Sequence, residues 1–489
     1  MRQFPLSDLD IAPGRVVEWR LRCVGRGGTQ GGEGACKSAS FNQAKHFSVV
    51  EEARKVHRSV ASWLAVTFEV PGRLDRAALE RALLFFACRH EVLRCEFQRL
   101  AGDLSCDPIA ADRIGLESVE VGDFDSTDEL LTFLANSFHK NTDTMSWPLF
   151  VMGAVIRNDS SSTVYLAFDH IVSDGVSMPN VVNDIQAAYA AFSRGSEVEL
   201  PAAGSYVDFA HEQRSRYLSI DADDERLSYW KEFMGRDAEF FPRFPLDLGV
   251  EPGCMYPTVN ESDRLLGAAD TEALAVRCEE AGGSLFMGLL AAVAVSLQAL
   301  GGPGIYRGFM PVSERGRGSW KHSVGWFVNT LPIEFSVEDG ESFGHIMAGV
   351  RASFTKMMRN IDVPFVRAWE LLAPQYFTDV TWPFPVNFFS YMDMRKFPGV
   401  GHHPEWQPTA HVWAACANGT CSWFQRDAGG LYVNSIYADT PQARRTMAAV
   451  HRTVQETLQE LSSTGTLRPG TVSVPSPRAC AVGSQAGHR

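Results

Sequence analysis

Phe168-Asp169-His170-Ile171-Val172-Ser173-Asp174-Gly175 is the stretch on which this chain turns, because an apolar run ends there on one histidine just before an Asp-Gly turn. The preceding Thr163-Val164-Tyr165-Leu166-Ala167-Phe168 is rich in β-branched and aromatic residues and predicts a buried strand. Ser177 to Ala191 has the spacing and composition of a helix. His170 therefore falls at a strand-to-loop junction, a rigid place for a catalytic side chain. Imidazole titrates near neutral pH, so a positioned histidine takes a proton from a hydroxyl or amine and returns it to a leaving group. Asp174, beside Gly175 in a tight turn, suits locking the loop through hydrogen bonds or an arginine partner. The string alone also arises by chance in turns, so the rest of the chain has to decide.

With 489 residues and 45% hydrophobic content, the chain is long enough for two domains with real cores. No segment reaches the ~18 apolar residues of a membrane span, and the longest candidate, Leu285 to Val295, reads as a buried core helix. Met1-Arg2-Gln3-Phe4-Pro5-Leu6-Ser7-Asp8 lacks an apolar signal core, which predicts a cytoplasmic protein, the alternative being a peripheral one at the inner face of the membrane. Without export, the acceptor-like strings Asn158-Asp159-Ser160, Asn260-Glu261-Ser262 and Asn418-Gly419-Thr420 carry no meaning. A net charge of −13 without a basic run argues against nucleic-acid binding. Ten scattered cysteines without C-x-x-C spacing read as reduced thiols, and no metal is expected. His402-His403, in a Gly/Pro-rich loop, is discounted as a metal site in the same way.

Cys23 to Lys37 is glycine-rich and polar, suits a surface loop, and holds no phosphate-loop string. From Phe41 to about Ala191 strands and helices alternate; Leu74, Leu79, Leu83 and Phe86 mark an amphipathic helix with Asp75 as N-cap. Arg194 to Ser205 has linker composition. A second α/β series runs from Asp263 to about Leu461, with Ser284 to Ala299 helical, Leu331 to Phe335 a strand and Gln442 to Leu461 a long terminal helix. The expected division is residues 1–193, a linker or crossover at 194–215, a second unit at 216–461 and a disordered tail at 462–489.

Taken in order, further motifs resemble the condensation-domain (HHxxxDG) acyltransferase superfamily over nearly the whole chain. Ser40-Phe41-Asn42-Gln43 resembles its Ser-x-x-Gln opening, Arg89-His90-Glu91-Val92-Leu93-Arg94 its RHExLR helix end, and Trp147-Pro148-Leu149-Phe150 its Pro-Leu strand entry. Ser205-Tyr206-Val207-Asp208-Phe209 with Tyr229-Trp230 is similar to its crossover, and Val324-Gly325-Trp326-Phe327-Val328-Asn329-Thr330-Leu331-Pro332 to its VGxFVNTLP segment. Pro13 to Trp19, Phe244 to Leu248, the Asp-His form of the motif, and Ser390-Tyr391-Met392-Asp393 with Pro398-Gly399 look like the stand-alone mycobacterial-type glycolipid acyltransferases. Two departures stand out. Asp169 replaces the usual first histidine, and strand alternation is expected to point it away from His170. An Asp-Phe-Gly-Trp-Gly string is absent.

The resemblance implies an α/β (α+β) fold of two chloramphenicol-acetyltransferase-like subdomains in a V with mixed sheets, His170 lying in a channel between them. It also implies transfer of an acyl group without a covalent enzyme intermediate. His170, as general base, and Asp174 are then grouped as the catalytic residues, with the Gly175 backbone N–H a candidate oxyanion donor. Arg315, in Met310-Pro311-Val312-Ser313-Glu314-Arg315-Gly316, matches the arginine expected to grip Asp174, the alternative being a solvated loop residue. Asn329 lines the channel or caps a strand; Ser390, Tyr391 and Asp393 contact the acceptor or are structural; Trp326 is a channel wall or core. No cofactor is implied: the acyl group arrives on coenzyme A or a carrier protein's phosphopantetheine, and the acceptor is a small-molecule hydroxyl or amine. The enzyme is expected to be monomeric. Three readings follow: an ester-forming acyltransferase acting on a sugar or other alcohol, a stand-alone peptide-condensing enzyme, and a catalytically silent docking homologue. Retention of His170, Asp174 and Gly175 argues against the third.

Overall fold

The computed structural model describes residues 1–24, 37–57, 60–100, 102–157, 161–237, 240–317, 319–338, 340–373 and 385–467. Most of the predicted Cys23–Lys37 loop, the Asn158-Asp159-Ser160 string and the tail from residue 468 lie outside the described residues.

The chain opens with β1 (Arg2–Gln3), β2 (Arg15–Cys23), α1 (Phe41–Lys55), β3 (Ser62–Val70), α2 (Arg76–Arg89), β4 (Cys95–Leu100) and β5 (Asp103–Pro108). It continues through β6 (Ile114–Asp123), α3 (Thr127–Asn141), β7 (Phe150–Ile156), β8 (Ser162–Asp169), α4 (Ser177–Ser193), α5 (Tyr206–Tyr217) and α6 (Ser228–Asp237). Then come β9 (Tyr256–Gly267), α7 (Ala268–Glu280), α8 (Leu285–Ala299), β10 (Ile305–Ser313), β11 (Val328–Ser336), α9 (Phe343–Met358) and α10 (Phe365–Leu372). Last are β12 (Phe389–Asp393), α11 (His403–Trp406), β13 (Thr409–Ala414), β14 (Cys416–Ala417), β15 (Thr420–Asp427), β16 (Gly430–Ala438) and α12 (Pro441–Thr464).

The N-terminal lobe is built on a seven-stranded mixed sheet in the order β1-β13-β3-β8-β7-β2-β6, antiparallel except for the β1–β13 pair. Alternation divides the fully buried β8 between two cores. Val164, Leu166 and Phe168 pack with Leu79, Leu83 and Phe86 of α2, and Tyr165 and Ala167 face Leu130, Leu134 and Phe138 of α3. Both faces covered, the strand reads as a continuous apolar run. Asp75 caps α2 by accepting the Ala78 N–H at 3.0 Å.

The C-terminal lobe holds a five-stranded mixed sheet, β12-β15-β16-β9-β14, with β12 parallel to β15. Helices α7, α8 and α12 pack with it, and α8 is buried along most of its length, as expected of Leu285 to Val295. No single helix among the described residues is long and apolar enough to cross a membrane. The β10–β11 pair joins this lobe through a bridge from Phe309 to Phe388.

Three boundaries need correction. Residues 216–461 do not form one unit, because β13 leaves the C-terminal lobe and pairs with β3 from Thr409↔Thr67 to Ala414↔Ser62. A strand as apolar as β3 is a poor sheet edge, and β13 covers it. The expected linker at 194–215 runs into α5, which Ser205 caps by accepting the Asp208 N–H. The expected tail starts too early, since α12 continues to Thr464 before Gly465 ends it in the left-handed conformation.

Candidate active site

A 3-10 turn, His170–Val172, follows β8 directly. The Asp169 carboxylate accepts the Ile171 N–H at 2.7 Å, so capping rather than continued alternation sets where the next side chains point. From α1, Gln43 Nε2 donates to the Ile171 carbonyl at 2.9 Å. Ser40 and Gln43 also satisfy each other's backbone groups in a capping box, so Ser-x-x-Gln starts α1 and braces the histidine turn in one device.

His170 is half-buried. Its Nδ1 is buried without a well-formed hydrogen bond, which leaves the other edge of the ring for proton transfer. The Trp326 ring lies 4.1 Å away, tilted by 37°. Burial, and after it the neighbouring His46, push the His170 pKa below its ordinary 6.5, which keeps the imidazole neutral and able to accept a proton at pH 7.

Asp174 binds the lobes together. Arg315, in the turn just after β10, grips it with Nη1 to Oδ2 at 2.7 Å and Nη2 to Oδ1 at 2.9 Å. The carboxylate also accepts the Ser177 N–H and hydroxyl at 2.8 and 2.9 Å and the Phe327 N–H at 3.0 Å. Arg315 donates further to the carbonyls of Ser323 and Gly325, and its guanidinium lies 4.6 Å from the Phe327 ring centre. Both partners are almost wholly buried. Grouping Asp174 with His170 as catalytic is therefore corrected: its acceptor capacity is committed, and it acts by positioning the turn and the Trp326 segment. Arg89-His90 reinforces the same latch. The His90 Nδ1 accepts the Val324 N–H at 3.3 Å, so its Nε2 carries the proton given to Asp184 on α4 at 2.9 Å.

The other expected substrate contacts divide. Trp326 stands over the base as a wall. Gly175 faces β12: the Cβ it lacks would come 3.4 Å from Met392 Cε. Ser390 shares that strand face with Met392, whereas Tyr391 alternates onto the opposite face and packs near Phe286, 6.2 Å between ring centres. Tyr391 is corrected to a C-terminal-lobe packing residue. Asp393 is corrected to a turn residue, since it caps Met394–Lys396 and pairs with Arg395 Nε and Nη2 at 2.9 Å. Asn329 is corrected to a brace. It donates to the Ile361 and Val363 carbonyls at 2.8 and 3.0 Å and accepts the Phe365 N–H at 2.8 Å, which uses up its amide. A cavity of about 610 Å³ opens elsewhere, among Phe4, Thr67, Glu69, Thr163, Arg395 and Asp427. Thr163 is six residues back along β8 from Asp169, about 20 Å at strand rise, so that cavity is remote from the imidazole.

An imidazole at the seam of two lobes, with a buried Asp-Arg pair beneath it, is the arrangement of a group-transfer enzyme. The chain belongs to the Condensation domain family, which matches residues 54–381, and it is an acyltransferase. Over 488 residues it is 26% identical to the 2'-acyl-2-O-sulfo-trehalose (hydroxy)phthioceranyltransferase PapA1 of Mycobacterium tuberculosis, covering 96% of this chain and 91% of the relative. The acyltransferase PapA3 of the same organism is 24% identical over 475 residues, 94% of this chain and 96% of the relative. Among solved structures, the PapA2 acyl transferase shares the fold with a TM-score of 0.83 at 20% identity, over 95% of this chain and all of that one.

Proposed function

We propose that the protein moves an acyl group from a thioester to a sugar hydroxyl, with His170 as the general base. The single observation that carries this reading is a half-buried imidazole held at the lobe seam against Trp326, with its Nδ1 edge buried. His170 takes the hydroxyl proton as oxygen attacks the thioester carbonyl. The carbon–sulfur bond then breaks, an ester carbon–oxygen bond forms, and the same proton leaves with the thiolate as thiol. The donor is an acyl-CoA or an acyl-carrier protein, no cofactor takes part, and the Gly175 N–H and Ser390 face the reacting groups. The disaccharide in the name of the PapA1 relative supports a sugar acceptor. The test is thiol release by the full chain from octanoyl-CoA with trehalose: the wild type turns over and His170→Ala is inactive. An active Ala variant refutes the base, and release with amine acceptors alone turns the reading to amide formation.

A further inference from the structure

Asp169 stands where the family motif has its first histidine, and its carboxylate is fully engaged. Oδ1 accepts the Ile171 N–H at 2.7 Å and Oδ2 accepts the Thr144 hydroxyl at 2.7 Å. A third partner comes from α1: His46 Nε2 lies 3.3 Å from Asp169 Oδ1 and 3.2 Å from Thr144 Oγ1. Thr144 spends its own proton on Asp169, so its oxygen only accepts from His46. Both neighbours of Nε2 are then acceptors. Nε2 therefore carries a hydrogen. The His46 ring meets the Trp326 indole edge-on, 5.7 Å between centres at 77°, and that same indole lies over His170. Two imidazoles thus flank one tryptophan, one from each side of the motif's missing histidine.

We infer that His46 is a positioning residue for the transfer: held by Asp169 and Thr144, it sets the Trp326 ring against His170 and supplies from α1 the second imidazole that the motif lacks. The inference rests on the reading of His170 as base. Three features of α1 make it a rigid carrier for this role. Its start is fixed by the Ser40–Gln43 box, Gln43 holds the histidine turn, and Asn42 Nδ2 donates to the Val328 carbonyl at 2.7 Å across the seam. The charged and titratable groups that face His170 are His46 from α1, Asp169 at the end of β8, and Asp174 with its partner Arg315. His46 lowers the affinity of His170 for a proton, and Asp169 and Asp174 raise it.

The test uses the full chain with octanoyl-CoA and trehalose and compares pH profiles of kcat/KM. His46→Gln is expected to lower kcat about tenfold with KM little changed, through a misplaced base, and to move the acid limb to higher pH because an influence disfavouring His170 protonation is gone. Asp169→Asn is expected to move that limb the other way. Thr144→Val, which removes one hydroxyl, covers the case in which His46→Gln fails to fold, and it should lower kcat in the same sense. Wild-type kcat and an unmoved limb in His46→Gln, or in Thr144→Val where that stands in for it, overturn the inference while leaving His170 intact as the base. Activity retained by His170→Ala brings down both.

Discussion

Removing the Arg315 guanidinium takes from Asp174 two short charge-assisted hydrogen bonds, at 2.7 and 2.9 Å, in a site with almost no solvent. Breaking a buried pair by deleting one partner costs ~3–5 kcal/mol, because the remaining charge is uncompensated. In Arg315→Met the stranded carboxylate keeps three donors, the Ser177 N–H, the Ser177 hydroxyl and the Phe327 N–H. The cost should therefore fall at the low end, about 3 kcal/mol. Asp174→Asn strands the guanidinium instead, among the Ser323 and Gly325 carbonyls, at a similar ~3 kcal/mol. Combined, the two changes remove both charges, so the double variant should lose about 2 kcal/mol less than the sum of the singles. Urea midpoints and slopes of the four proteins measure this cycle. Thiol release should fall in both singles, because the Phe327 N–H bond to Asp174 is what seats the Trp326 segment. A loss below about 1 kcal/mol in Arg315→Met, or simple additivity, would refute the claim that this pair holds the lobes together.

Two further variants probe packing and protonation. Gly325→Ala puts a Cβ 2.3 Å from Tyr206 Cδ2, and the Tyr206 ring is pinned by its hydroxyl between Ser40 Oγ and the Trp326 carbonyl; a loss of ~3 kcal/mol is expected, and an unchanged melting temperature would contradict it. His411 is buried between the Thr67 hydroxyl and the Phe4 carbonyl, at 3.0 Å each, and burial pushes its pKa down to about 4. Its folded pKa lies below the unfolded 6.5, so the unfolded chain gains a proton first and stability is lost as pH falls from 6.5 towards 4, by ~3 kcal/mol at most. His411→Gln should flatten that part of the stability curve relative to wild type; parallel curves would exclude the linkage.

What could be read along the chain was whatever depends on neighbours in sequence. The burial of β8 follows from an unbroken apolar run, the start of α2 from Asp75, and the place of His170 from the turn after them. Reading failed where a side chain's partners come from far away. Asn329 has a motif's address, but its amide is spent on residues 361–365, more than thirty positions on. The parity of β12 was hidden because Phe388, just before it, and Phe389, its first residue, are both large and apolar, so nothing local told Tyr391 from Ser390. No local pattern marks β13 as belonging to the other lobe's sheet.

Asp169 carries the same lesson further. Along the sequence it reads as a lost histidine, and alternation predicts a carboxylate turned away from the chemistry. In the fold it binds Thr144, caps the turn that holds His170, and meets a histidine that arrives from α1. His46 had no motif to announce it, and the family match begins eight residues after it, at residue 54. The signal that would have found it is chemical rather than statistical. A carboxylate buried beside the base needs donors, and Asp169, which finds only the Ile171 N–H nearby in sequence, needs the rest from another helix or loop. A substitution inside a catalytic motif is therefore better treated as a change of hydrogen-bonding valence, whose new partners must be sought in the packing, than as the loss of a function.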